Sequence, residues 1–147
     1  MRVRDVMTKN PIHRPPGTTV RELARLMAGR NCGEIPITRS GALLGVVTDR
    51  DITCRLVATG SDPETTVAEQ IMSYPVIAVG EDDSVEYAMA RMERENIRRI
   101  PVTDGEGCLV GILSQMDIAT RVRPAAAAAM TSKRLDHRHP LPLPPLW

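Results

Sequence analysis

Apolar residues recur at Val20, Leu23, Ala24 and Met27, spaced i, i+3, i+4 and i+7. That period predicts a helix with one buried face. Val85, Ala88, Met89 and Met92 repeat the spacing 65 residues later. Thr19, with Glu22 three residues on, has the form of a capping box at the first helix start. Asp82, Asp83 and Ser84 supply acidic and hydroxyl groups at the second start, and Gly29, Asn31 and Gly33 stop the first helix. Short proline-containing runs follow, Ile35-Pro36-Ile37 and Ile100-Pro101-Val102. Each reads as a strand in which proline withdraws one ladder donor, placing an edge or a bulge there. Turns at 39–41 and 104–107 lead into Leu43-Leu44-Gly45-Val46-Val47 and Leu109-Val110-Gly111-Ile112-Leu113, which read as buried strands. A second helix then begins at Thr48 and at Ser114. Ile52 and Leu56, and Ile118 and Val122, lie four apart on its apolar side.

These elements are one unit written twice. Val20 matches Val85, Met27 matches Met92, Pro36 matches Pro101, Gly45 matches Gly111 and Asp51 matches Asp117, the offset rising from 65 to 66. Upstream, Met7 matches Met72 and Pro11 matches Pro75. The period is too long and the copies too few for a solenoid. The expected fold class is α/β (α+β): two βαββα units about a pseudo-twofold axis, sharing one core. A short helical turn at Val3, Val6 and Met7 leads the first unit into an extended segment at 8–11, and the proline-rich residues 12–17 cross in extended form. Residues 59–66 are polar. The expected boundaries are therefore 1–60 for repeat 1, 61–66 for a linker, 67–123 for repeat 2 and 124–147 for a tail.

Composition narrows the reading. A chain of 147 residues has the length of about one domain. With 42% hydrophobic but only 2% aromatic residues and no Phe, its core must come from Val, Ile, Leu, Met and Ala. Met27 and Met92 stand at core spacing, and Met7 and Met72 read as structural. A net charge of +1 argues for neither a nucleic-acid patch nor a groove for acidic substrates. No apolar run could span a bilayer and no signal-peptide core precedes the first helix, so a cytoplasmic protein without a membrane partner is expected. Cys32, Cys54 and Cys108 show no CxxC spacing, and their odd count opposes a disulfide framework. The tail holds an Ala run at 125–129, His137, His139 and a Pro-Leu series ending at Trp147. Lys133, Arg134 and Arg138 against Asp136 put +2 on it and leave −1 on residues 1–123. Its composition suits disorder, with the Ala run extending the last helix.

Two stretches carry candidate chemistry: Gly45-Val46-Val47-Thr48-Asp49-Arg50-Asp51 and Gly111-Ile112-Leu113-Ser114-Gln115-Met116-Asp117. Structurally, Thr48 and Ser114 cap a helix, Asp51 and Asp117 favour its positive end, and the glycine permits close strand packing. The same geometry places a hydroxyl and a carboxylate at the mouth of a crevice. A carboxylate accepts two hydrogen bonds at once, which matches the vicinal hydroxyls of a ribose. The hydroxyl and free helix-start N–H groups suit a phosphate oxygen. Cations must offset the aspartate, and Arg50, Arg98 and Arg99 are candidates, with Arg30, Arg55 and Arg121 nearby in sequence. The backbone around Ile35 and Ile100, released from regular pairing by the adjacent proline, is placed to read a base edge. Gln115-Met116 replaces Asp49-Arg50 in the second copy, which predicts less positive charge and weaker binding of multiply charged phosphates there.

With these residues in place, the chain resembles a tandem pair of cystathionine-β-synthase (CBS) domains, a Bateman module of the small stand-alone bacterial type. The resemblance rests on Val-Arg-Asp-Val-Met-Thr at 3–8, the paired Val/Ala/Met helices, Ile-Pro-Ile and Ile-Pro-Val, and both Gly-x-x-Thr/Ser-x-x-Asp stretches. Thr-Asp-Arg-Asp-Ile at 48–52 and Arg-Arg-Ile-Pro-Val at 98–102 resemble the small members most closely. It covers 1–123. Repeat 1 departs at Thr38-Arg39-Ser40-Gly41, where the family usually carries an Asp before the glycine turn. The resemblance implies two units packed sheet to sheet with two clefts between them. It also implies a regulatory module that pairs into homodimers, acts on a target protein and binds AMP, ADP, ATP or a related adenosyl ligand, with no cofactor required. Thr48 and Asp51 would then serve one cleft and Ser114 and Asp117 the other. The alternatives are a dimeric scaffold with empty clefts and, behind it, an enzyme. No P-loop, HExxH, GxSxG or dinucleotide fingerprint is present, and His13 is the only histidine before the tail. A metal site at His137 and His139 lacks any accompanying Cys or carboxylate pattern.

Overall fold

The computed structural model describes residues 1–122, so the expectations for the Ala run, His137 and His139 lie outside the described residues. The elements run α1 (Val3–Val6), β1 (Thr8–Lys9), α2 (Val20–Arg30), β2 (Glu34–Arg39), β3 (Ala42–Thr48) and α3 (Asp49–Ile52), which continues as a π-helical turn over Thr53–Val57. The second half follows as α4 (Ala68–Ile71), β4 (Val79–Gly80), α5 (Val85–Arg94), β5 (Arg99–Thr103), β6 (Leu109–Ser114) and α6 (Gln115–Arg121).

Helix α2 starts where Thr19 Oγ1 accepts the Glu22 N–H at 3.3 Å. Only half of the expected box forms, because the Glu22 carboxylate lies 3.9 Å from Arg14 instead. Asn31, left-handed at φ 50°, ends the helix. Val20, Leu23 and Met27 are buried while Ala24 is exposed, so the buried stripe is narrower than its apolar spacing. Helix α5 starts on Ser84 and buries Val85, Ala88 and Met92.

Strands β2 and β3 form an antiparallel hairpin closed by Ser40 (φ 49°) and Gly41 (φ 85°), two positive φ values that suit a tight hairpin turn. The other sheet has the order β1-β6-β5-β4. Ile35 to Thr38 are all buried. Alternation sends Ile35 and Ile37 into the core, and Pro36 and Thr38 to the opposite face. The irregularity expected at the proline falls just after it, between Ile37 and Thr38 and between Val102 and Thr103. Ladder pairing at Ile35 and Ile100 is regular, which corrects the expectation that proline frees the backbone there.

The expected single core is two. Val20, Leu23, Met27, Ile35, Ile37, Val47 and Leu56 form one cluster with Ala68 and Ile71. Val79, Val85, Ala88, Met92, Ile100, Val102, Leu113 and Ile118 form the other with Val3, Val6 and Met7. Each half thus buries the leading helical turn of the other. Strand β1 pairs with β6 (Thr8 with Ile112), and reciprocally Ser73 bridges Val46. At the hairpin ends, the Leu43 N–H donates to the Gly107 carbonyl at 3.2 Å and the Leu109 N–H to the Gly41 carbonyl at 3.0 Å. Among the described residues, no helix is long and apolar enough to cross a membrane.

Candidate functional site

Both glycine-to-aspartate stretches turn from a strand into a helix, and both close as capping boxes. Thr48 Oγ1 accepts the Asp51 N–H at 3.1 Å, and Asp51 Oδ2 accepts the Thr48 N–H at 2.9 Å. Ser114 and Asp117 repeat these bonds at 3.1 and 2.9 Å. The second oxygen of each carboxylate reaches the crossing segment of the opposite repeat. Ser73 Oγ donates to Asp51 Oδ1 at 3.0 Å, and Thr8 Oγ1 donates to Asp117 Oδ1 at 3.1 Å. Asp51 is 7% exposed, and its nearest cation is Arg55 at 3.8 Å. Arg55 and Arg121 hold the same crossings from behind. Arg55 donates to the Ile71 and Met72 carbonyls at 2.9 and 3.0 Å, and Arg121 to those of Val6 and Met7 at 2.6 and 3.2 Å.

The motif glycines are required by this crossing. A Cβ on Gly45 would sit 2.6 Å from Met72 Sδ and 3.0 Å from the Ser73 carbonyl oxygen. One on Gly111 would sit 2.9 Å from Met7 Cγ and 3.0 Å from the Thr8 carbonyl oxygen. The helix-start N–H groups of the first motif are taken, contrary to expectation: Asp49 donates to the Gly33 carbonyl at 3.0 Å, and Arg50 to the Asp49 carboxylate at 2.8 Å.

A cleft of about 220 Å³ opens between the repeats beside the first motif. Val46, Pro75, Val76, Ile77, Ile97 and Pro101 form its apolar wall, and Glu34, Thr48, Ser73 and Arg99 its polar groups. Asp51 stands behind Ser73 and meets the cleft through that hydroxyl. Glu34 and Arg99 open β2 and β5, 65 residues apart, at the same place in each repeat. Neither side chain has a hydrogen-bond or ion-pair partner among the described residues. Burial pushes the Glu34 carboxyl up to about 7; the Arg99 charge pulls against this and the Asp51 charge adds to it.

Of the other expected site residues, Arg50 and Arg98 are exposed and outside the cleft lining. The Arg98 carbonyl accepts the Gln115 N–H at 3.0 Å. Ile35 and Ile100 bury their side chains fully. Charge is also distributed differently from the expectation built on Arg50. Arg4, Lys9 and Arg121, with Asp5, Met7 and Thr8, line a shallow depression of about 540 Å³ on the second motif's side. At the positions matching Arg4 and Lys9, the first motif's side has Glu69 and Tyr74. Arg4 is ion-paired with Asp82 at 2.8 Å and Arg121 is held by the Val6 and Met7 carbonyls, which leaves Lys9 as the cation on this side without a partner for its charge among the described residues. Sequence reasoning missed Thr8, Ser73 and Glu34. The first two carried a signal, since they occupy matching places after Met7 and Met72.

His13 shares a 2.8 Å hydrogen bond with Thr38 Oγ1. All three cysteines are free. Asp104, Glu106 and Cys108 lie close enough to share an ion, but Asp104 Oδ1 accepts the Glu106 and Cys108 N–H groups and so builds the turn.

A family model of the CBS domain matches residues 3–58 and 67–123. The CBS domain-containing protein YhcV of Bacillus subtilis is 35% identical over 137 residues, covering 93% of this chain and 96% of that one. The chain also matches longer relatives, of which it spans about a quarter. Among solved structures, CBS domain protein PAE2072 from Pyrobaculum aerophilum, complexed with AMP, is 30% identical with a TM-score of 0.74, covering 90% of this chain and 99% of that one. The CBS domain pair of protein MJ0100, in complex with 5′-methylthioadenosine and S-adenosyl-L-methionine, is 30% identical with a TM-score of 0.70, covering 82% and 94%.

Proposed function

Because the chain belongs to the CBS domain family, with two copies in tandem, we propose that it is a regulatory sensor binding an adenosyl ligand between its repeats. The carrying observation is the cleft at Thr48, with a polar end and an apolar wall drawn from both halves. The base packs against Ile77, Ile97 and Pro101. The ribose hydroxyls replace Ser73 as donors to Asp51, aided by Thr48. Ser114 and Asp117 serve the second cleft in the same way, the ribose replacing Thr8. Arg99 offsets carboxylate charge while Arg50 and Arg98 act from outside. Related pairs carry AMP, or methylthioadenosine and S-adenosylmethionine, which supports this ligand class.

Binding from both halves would lock the exchanged crossings and alter the surface offered to a target protein. No catalysis is assigned, and a nucleotide hydrolysis assay on purified protein is expected to show no turnover. The chain is read as a homodimer, with exposed Tyr87 and Met116 supplying apolar surface for the contact; light scattering measures this. Calorimetric titration with AMP, ATP and S-adenosylmethionine tests the ligand reading, which predicts saturable heat with at least one and fails if all three give none. The full partnering of both carboxylates supports a second reading, a scaffold whose clefts stay empty. That reading predicts no heat and an unchanged dimer.

A further inference from the structure

The ligand reading leaves open which 5′ group the first cleft accepts, and the charged residues at its polar end bear on this. Glu34 and Arg99 both line the cleft, and neither is tied to another side chain among the described residues. Glu34 stands in a largely apolar cleft. The charged groups around it come from three places. Arg99 stands on β5 and Asp51 on α3, and both act on it. Asp49, also on α3, lies against Gly33, where a Cβ would meet its carboxylate at 2.8 Å. Arg55 is 3.8 Å from Asp51 and is drawn to the Ile71 and Met72 carbonyls. The 73–77 segment adds only exposed Tyr74. Glu34, Asp51 and Arg99 leave one net negative charge when both acids are ionised.

We propose that Glu34 is the specificity-determining residue of this cleft, selecting an adenosyl ligand with an uncharged or cationic 5′ substituent over one carrying a 5′ phosphate. This rests on the reading of the cleft as an adenosyl site. An ionised Glu34 repels a phosphate brought into the same low-dielectric space, while a sulfonium or thioether is tolerated or attracted. Protonation removes the repulsion, and because the Glu34 carboxyl is raised to about 7, the preference weakens as pH falls from 8 to 6.

The test uses the full chain with isotope-labelled isoleucine methyl groups. Ile77 and Ile97 line this cleft, so their shifts report its occupancy independently of the second one. Methylthioadenosine, S-adenosylmethionine and AMP are titrated at pH 8 and pH 6 into wild type, Glu34→Gln and Arg99→Gln. Wild type is expected to bind the first two about tenfold or more tighter than AMP at pH 8, the size of one unscreened charge contact. Glu34→Gln should close that gap and remove the part of the pH dependence not due to the AMP phosphate itself. Arg99→Gln should widen the gap. AMP binding as tight as methylthioadenosine, with a ratio unmoved by Glu34→Gln, overturns this assignment but leaves the adenosyl reading intact. No shift at Ile77 or Ile97 with any of the three overturns both.

Discussion

Gly45→Ala tests the interlock of the two repeats. The new methyl would lie 2.6 Å from Met72 Sδ and 3.0 Å from the Ser73 carbonyl oxygen. The thioether can swing aside, but the carbonyl is held, because Ser73 O accepts the Val46 N–H at 3.1 Å and the Ser73 N–H donates to Val46 O at 2.8 Å. The backbone must therefore shift, straining the Ser73–Asp51 bond as well. Overpacking of this kind costs about 1–3 kcal/mol. For a chain of this size that lowers Tm by about 3–12 °C. Circular dichroism melts measure it, with Gly29→Ala as control. A Cβ on Gly29 meets nothing within 4 Å, so that substitution should be neutral or raise stability by about 0.4–1 kcal/mol through the unfolded chain. A Gly45→Ala variant melting within about 1 °C of wild type would refute the reasoning.

Other expectations follow from the same geometry. Arg121→Ala removes the donor to the Val6 and Met7 carbonyls and should destabilise by about 1.5–3 kcal/mol in urea melts. Because the folded-state Glu34 carboxyl is raised from 4.5 to about 7, wild type loses up to roughly 3 kcal/mol as pH climbs through that interval. Glu34→Gln should be flat over that interval and more stable relative to wild type at pH 8 than at pH 4, measured by denaturant midpoints. Asp51→Ala and Asp117→Ala should each weaken adenosyl binding by about tenfold or more in calorimetry. Lys9 near the second motif predicts that Asp117→Ala carries the larger loss for phosphorylated ligands.

The order of helices and strands was legible because the 3.6 and 2 periods survive in both copies, as did the glycine-to-aspartate turns, whose caps are local chemistry. The exchange of leading turns was not. A two-residue strand such as β1 carries no local mark of which sheet it joins, so Val3, Val6 and Met7 could not be assigned to the second core from pattern alone. The placement of cations was not legible for a related reason. Arg50 is next to Asp51 in sequence yet exposed, whereas Arg4 and Lys9 reach the second motif's side only through the crossing. Glu34 was passed over because one acidic residue before an apolar strand reads as a solvated end. Its position against Arg99 exists only once the repeats pack.

The most direct measurement is a crystal structure of the full chain grown with methylthioadenosine or AMP. The account predicts density between Thr48 and Pro101, with the ribose hydroxyls on the Asp51 carboxylate and Ser73 turned away. An empty cleft at saturating ligand, with Ser73 still on Asp51, would contradict it.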